Sequence, residues 1–210
     1  MRRRALWALV VLGLAGFVAL ALTYESDPLT SLDDDVAEWV ASELPAWLEA
    51  LARPFSWIGG WIGVTLLVTL VVVVLARRRA WIDLAFFVLV VVGSQLAVAV
   101  LKAWFDRPRP DAGSAVPLPE SAGFPSGHAT TGVAVFGAAS VLVAERLPER
   151  RHRVRLWIGT MVLGVEIGLS RVALNVHYMT DVLAGWCLGL AWLAACLLVR
   201  EGVRRRSGRV

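Results

Sequence analysis

Long apolar runs alternate with short polar breaks along the chain, and their lengths predict membrane-crossing helices. Ala5 to Thr23, Trp57 to Ala76, Trp81 to Leu101, Thr131 to Ala144, Leu156 to about Leu174 and Val182 to Val199 are dominated by Val, Leu, Ala and Gly. A helix needs about 20 such residues to cross the hydrocarbon core, so the pattern predicts six crossings. The fourth run is short, and Ser126 as a capping residue extends it back into the preceding loop. Between Tyr24 and Ser56 the spacing changes. Val36, Trp39, Val40, Leu44, Trp47, Leu48 and Leu51 form a stripe broken at Pro45. That predicts a short amphipathic helix, capped by Ser31 and Asp33, lying on the membrane surface or against the end of the bundle.

Composition narrows the class. At 210 residues, 58% hydrophobic and 18% charged, the chain is too apolar for a soluble domain and too short for two membrane domains. The expectation is an all-α integral membrane bundle of six transmembrane helices, one domain over residues 1–210, with its partners the bilayer and a lipid, and no nucleic acid. Cys187 and Cys196 fall in one apolar run, about 13 Å apart along a helix axis, which excludes a bridge between them. Ala19-Leu20-Ala21 resembles a signal-peptide cleavage site, but the run before it exceeds the usual ~7 to 15 apolar residues, so a retained first helix is expected.

Charge placement gives an orientation. Sixteen of the 21 basic residues fall in the segments before the first run, after the second, between the fourth and fifth, and after the sixth. Such a loop bias predicts both termini on the cytoplasmic side. Tyr24 to Ser56 carries eight acidic residues against one base, Arg53, as an outer segment. Asp83 lies beside Arg77-Arg78-Arg79 and is expected to pair with that cluster. Of the five remaining bases, Lys102, Arg107, Arg109 and Arg171 gather in two outer places.

Those two places, and a third, carry candidate chemistry. Lys102 and Arg109-Pro110 leave the third helix seven residues apart, a mobile point charge and a planar fork suited to phosphate oxygens. The plain alternative is an interfacial lysine and a loop arginine paired with Asp106 or Asp111. Pro125-Ser126-Gly127-His128 precedes an apolar helix whose free N–H groups make an anion site, or is simply a capped helix with an incidental histidine. Ser170-Arg171 with His177 and Asp181 concentrates costly residues at a membrane boundary. His177 and Asp181 are four apart, so on a helix the carboxylate holds one ring nitrogen and leaves the other free. Asp181 as a cap and His177 as an interfacial residue is the plain alternative. Glu166, inside the fifth helix, is either a support for Arg171 or a protonated carboxyl bonded to a neighbouring helix.

Together, Lys102 with Arg109-Pro110, Pro125-Ser126-Gly127-His128, and Ser170-Arg171 with His177 and Asp181 resemble the three-part signature of the type 2 phosphatidic acid phosphatase family. That family also includes bacterial acid phosphatases and vanadium haloperoxidases. The resemblance implies His177 as nucleophile forming a phosphohistidine, Asp181 orienting its ring, and His128 as general acid and then base. It implies Lys102, Arg109, Ser126, Gly127 and Arg171 as the phosphate clamp, with Ser170 as a supporting residue. Three fixed cations take the role a magnesium ion has elsewhere, so no metal and no cofactor is expected. Asn175 and Met179-Thr180 depart from the family's commoner wording, in which Gly often precedes Val-His-Tyr and Pro often follows. The implied activity is a lipid phosphatase facing outward from the cytoplasmic membrane, with undecaprenyl pyrophosphate favoured over phosphatidic acid, phosphatidylglycerophosphate or diacylglycerol pyrophosphate. A lipid phosphotransferase and, more remotely, a non-enzymatic anion or lipid transporter are the rivals.

Overall fold

The computed structural model describes residues 3–207, so Arg2 and Arg209 of the basic flanks lie outside the described residues. Every regular element among the described residues is a helix: α1 (Arg3–Thr23), α2 (Asp27–Glu43), α3 (Ala46–Gly59), α4 (Trp61–Arg77), α5 (Trp81–Phe105), α6 (Gly127–Ala144), α7 (Arg150–Ala173) and α8 (Met179–Ser207). Five of them, α1, α5, α6, α7 and α8, are long and apolar enough to cross a membrane. The expected second crossing is not one helix. α3 and α4 meet at Gly60 with a bend of 42°, and only together are they long and apolar enough to make a sixth span. Beside the break α3 packs closely on α7: a Cβ on Gly59 would fall 2.3 Å from Ile167 Cγ2. Only glycine lets the α3 backbone come so close.

The surface stripe also resolves into two helices, α2 and α3, separated at Leu44-Pro45, where proline removes a donor and restricts the residue before it. Val36 and Val40 pack on the bundle against Ala129, Val172 and Val182. Trp39, Trp47 and Leu51 stay exposed, so the stripe packs on the bundle along part of its length and leaves the rest uncovered. Ser31 and Asp33 are not caps. Helix α2 starts earlier, after Ser26 with Pro28 in its first turn, and Asp33 is turned inward and buried.

α6 is the most enclosed helix, and small residues let its neighbours approach. Gly132 and Gly164 bring α6 against α7, and Gly185 and Gly189 seat α8 on the backbone of Ser126 and Thr130. Helix α1 lies along α8, with Gly13 facing the Cys187 carbonyl. Both cysteines are free thiols.

At the end of the bundle remote from the three motifs, Arg200 is buried between Asp83 and Glu145. Its Nη2 stands 2.7 Å from Asp83, and its Nη1 stands 2.6 Å from Glu145. Arg204 reaches Asp83 at 2.7 Å. Asp83 therefore pairs with the arginines of α8 rather than with Arg77 to Arg79, because α5 packs beside α8 and directs its first turn toward them.

Candidate active site

The three motifs, up to 79 residues apart between Lys102 and Asp181, converge at one end of the bundle. Helix α5 delivers Lys102 in its last turn and stops at Asp106, whose backbone turns left-handed at φ 42°. The chain then returns to α6 through a loop pinned by the Gly123 N–H on the Arg107 carbonyl at 2.7 Å. Ser126 caps α6 as expected, its Oγ accepting from the Ala129 N–H at 3.5 Å. The Ser126 N–H donates to the Asp181 carbonyl at 3.0 Å, which ties the second motif to the third.

Helix α7 ends two residues past Arg171, and a tight turn carries His177 back to the start of α8. Asn175 makes that turn at φ 52°, a conformation that asparagine tolerates better than most residues. Its side-chain Nδ2 donates to the Gly113 carbonyl at 2.7 Å and to the Ala37 carbonyl at 3.2 Å. The departure from glycine here is therefore structural: asparagine keeps the turn and adds ties to α2 and to the loop. Met179 opens α8, where a first-turn N–H has no helical partner and proline is equally at home.

His177 is buried at 3% exposure. Its Nδ1 lies 3.1 Å from Asp181 Oδ2, and its Nε2 lies 3.1 Å from Arg109 Nη1. A guanidinium has no acceptor, so Nε2 carries the lone pair and Nδ1 carries the proton given to Asp181. Burial pushes the ring down to about 4, Asp181 pulls in the opposite direction, and Arg109 and Lys102 add to the lowering. The imidazole is neutral at neutral pH, with its free nitrogen on the side of the cations.

Lys102 and Arg109 act on that ring electrostatically, Arg171 lies within interaction range of both, and none of the three forms an ion pair with a carboxylate among the described residues. Lys102 Nζ donates to the Ala122 carbonyl. Arg109 donates to the carbonyls of Val176 at 2.6 Å and Ser121 at 2.9 Å, and not to Asp106 or Asp111. Burial holds its guanidinium below the usual arginine value. Arg171 is 6% exposed, donates to Ser56 Oγ on α3, and leaves its buried Nε without a partner. Buried positive charge with open donors is a site for a multiply charged anion.

His128, in the first turn of α6, lies within interaction range of His177, Arg171 and Arg109. The break between α3 and α4 wraps its ring, and a Cβ on Gly60 would sit 3.6 Å from its Nε2. From Lys102, Gly127 and His128 a cavity of about 890 Å³ descends between α4 and α5 along Val64, Val68 and Val98. It joins a polar mouth to an apolar trough of the kind an acyl or prenyl chain fills.

Glu166 is not a support for Arg171. It makes no hydrogen bond or ion pair with that residue, and five positions on a helix place two side chains about 140° apart. Ser170 is buried and donates to the Ile167 carbonyl at 2.7 Å, so it fixes the end of α7 without reaching the cations.

Three residues that none of the motifs includes also stand at the site. Ser56 holds Arg171. Arg107 donates to Asp181 Oδ1 at 2.6 Å, to Thr180 Oγ1 at 2.7 Å and to Asp33 Oδ2 at 2.9 Å. Asp33 in turn accepts from the Thr180 N–H at 3.1 Å. Of the three, Arg107 carries a signal in the sequence: it is the one outer base in the loop that the phosphate clamp leaves unused.

A helical membrane bundle that gathers two histidines, a histidine-bound aspartate and three cations without carboxylate partners at one end, with Lys102 and His128 lining the mouth of an apolar trough, fits a membrane phosphatase. The chain belongs to the PAP2 superfamily, whose sequence profile matches residues 83–205. It is 31% identical over 179 residues to phosphatidylglycerophosphatase B of Bacillus subtilis, covering 83% of this chain and 86% of that protein. The crystal structure of a transmembrane PAP2-type phosphatidylglycerolphosphate phosphatase from Bacillus subtilis superposes with a TM-score of 0.83 at 27% identity, covering 94% of this chain and 96% of the other. A shorter similarity, 35% identity over 78 residues, covers 37% of this chain and 33% of the undecaprenyl-diphosphatase of Sulfolobus acidocaldarius. The protein is a phosphoric ester hydrolase of the membrane, acting on lipid phosphates.

Proposed function

We propose that the protein hydrolyses a lipid phosphate through a phosphohistidine on His177, with phosphatidylglycerophosphate as the first substrate. The observation that carries this reading is the contact of the lone-pair nitrogen on buried His177 with Arg109, in one cluster with Lys102 and Arg171, none of which has a carboxylate partner among the described residues. The Nε2 lone pair attacks phosphorus, and the bond from phosphorus to the lipid oxygen breaks as the nitrogen–phosphorus bond forms. Protonated His128 gives its proton to the departing alkoxide. Neutral His128 then takes a proton from water, whose oxygen attacks phosphorus and releases phosphate and the free imidazole. The three cations, the Ser126 hydroxyl and the Gly127 N–H hold the equatorial oxygens as charge spreads in the transition state. Those fixed charges carry the turnover without a metal ion.

The basic residues at the end remote from the site support an orientation with that end in the cytoplasm and the site facing outward from the cytoplasmic membrane. Undecaprenyl pyrophosphate is the second substrate reading, favoured by the outward site and by the similarity to an undecaprenyl-diphosphatase. The longer similarity to the Bacillus subtilis enzyme supports the glycerolipid first. Phosphate release in detergent from matched concentrations of phosphatidylglycerophosphate, phosphatidic acid, diacylglycerol pyrophosphate and undecaprenyl pyrophosphate tests the order. The highest kcat/KM is expected for phosphatidylglycerophosphate. A higher value for the polyprenyl substrate reverses the two readings, and a phosphorylated acceptor in place of free phosphate replaces hydrolysis by transfer.

A further inference from the structure

Four residues from three parts of the chain form a buried charge relay around Asp181. Its Oδ2 accepts from His177 Nδ1 and from the Tyr178 N–H, each at 3.1 Å, and its Oδ1 accepts from Arg107 Nη1 at 2.6 Å. Arg107 is 7% exposed and lies between the rings of Tyr24 and Tyr178, 4.7 and 4.4 Å from their centres. Its Nη2 meets Asp33 Oδ2 at 2.9 Å, and Asp33, from α2, also receives the hydroxyl and the N–H of Thr180.

Without Asp33, this arrangement would work against the chemistry. Arg107 alone would neutralise Asp181 and leave no net charge beside His177. Phosphoryl transfer converts His177 from a neutral ring to a cation: Nε2 becomes bonded to phosphorus while Nδ1 keeps its proton. A fixed negative charge next to Nδ1 favours that change, and one cancelled by an adjacent guanidinium does not. With Asp33 present, the cluster of Asp33, Arg107 and Asp181 carries one net negative charge, which the phosphorylated imidazolium balances. We propose that Asp33 is a positioning residue for catalysis: it neutralises Arg107, so that Arg107 fixes the Asp181 carboxylate without removing its charge from His177. Through it, α2, which holds none of the three motifs, becomes part of the nucleophile's electrostatic setting.

The inference rests on His177 as the nucleophile, and one set of variants separates the two. Detergent-purified full-length wild type, Asp33→Asn, the double variant Asp33→Asn with Arg107→Gln, and His177→Ala are assayed for phosphate release, with melting followed on each. Asparagine keeps the acceptor for the Thr180 N–H and removes the charge, so kcat is expected to fall by about 30-fold, with KM within about threefold of wild type. The double variant restores a single net negative charge and is expected to return to within about fivefold of wild-type kcat, even if it melts lower than either parent. A purely structural ion pair predicts the reverse, with the double variant no more active than the single. If Asp33→Asn alone is not recovered folded, the double variant, which buries one charge of this cluster in place of three, decides on its own. Folded with near wild-type kcat it upholds the inference, and folded with kcat at least tenfold down it overturns it. Unchanged kcat in Asp33→Asn, or a loss confined to KM, also overturns it. Wild-type turnover by His177→Ala would overturn the phosphohistidine reading beneath it.

Discussion

Arg109 Nη1 stands 3.1 Å from His177 Nε2, so a guanidinium faces the lone pair that the chemistry needs. The same Nη1 holds the Val176 carbonyl, and Nε holds Ser121. Nη2 reaches Ser121 Oγ at 3.3 Å and the Ala122 carbonyl at 3.4 Å, so the fork is anchored through all three nitrogens with Nη1 beside the nitrogen that attacks phosphorus in the proposed reaction. A lysine at this position supplies the charge but not the fixed plane. Arg109→Lys is expected to lower kcat/KM by about 10²- to 10³-fold, the scale seen when a preorganised transition-state donor is lost. Melting should remain near that of wild type. Steady-state kinetics with the best lipid substrate checks this, and near wild-type turnover in the lysine variant would show that charge alone suffices.

The buried imidazole makes stability depend on pH in a defined window. Burial first, with Arg109 and Lys102 adding and Asp181 opposing, holds His177 at about 4 in the folded protein. The unfolded ring titrates near ~6.5. As pH falls from the unfolded to the folded value, the unfolded chain binds a proton that the folded chain does not, so stability is lost across that interval and unaffected above it. His177→Gln removes the titrating group. The melting temperature of wild type is expected to drop relative to this variant as pH is lowered from about 7 toward about 4.5. Parallel curves would mean that the ring titrates normally in the fold.

Backbone contact between α8 and the start of α6 leads to a paired glycine prediction. A Cβ on Gly185 would lie 2.6 Å from the Ser126 carbonyl oxygen and 2.8 Å from Ala129 Cβ, whereas a Cβ on Gly159 meets nothing within 4 Å. Main-chain atoms cannot turn aside as a side chain does, so Gly185→Ala must push α8 away from the turn that holds Ser126, Gly127 and His128. Lower melting and a loss of at least about tenfold in kcat are expected, since misplacement by about 1 Å can cost 10²-fold. Gly159→Ala should be neutral or slightly stabilising through helix propensity. Thermal melts and phosphate release on the two variants together test the claim, and equal behaviour of the pair would contradict it.

The residues legible in the sequence were those whose chemistry is out of place in an apolar chain. Lys102, Arg109, His128, Arg171 and His177 stand at the ends of hydrophobic runs, where polar side chains are expensive, and the order of the motifs was readable without coordinates. Asp33 was not legible, because it is one of three consecutive aspartates and only the inward turn of α2 singles it out. Ser56 is a small residue whose importance comes entirely from the bend at Gly60, and no periodicity announces that bend. The expected partners of Asp83 and Glu166 differ from the observed surroundings for one reason: neighbours in sequence are not neighbours in space. Packing of α8 against α5 supplied Arg200 in the first case, and helical rotation separated Arg171 in the second.

Phosphate release from phosphatidylglycerophosphate by purified wild type and His177→Ala, in the presence of a chelator, tests the central claim most directly. The account predicts sustained release by wild type and a loss of at least about 10³-fold in the variant, with both proteins folded. Full activity in the variant would remove His177 as the nucleophile. Loss of wild-type activity in chelator, restored by magnesium, would show that the three cations do not carry the charge alone.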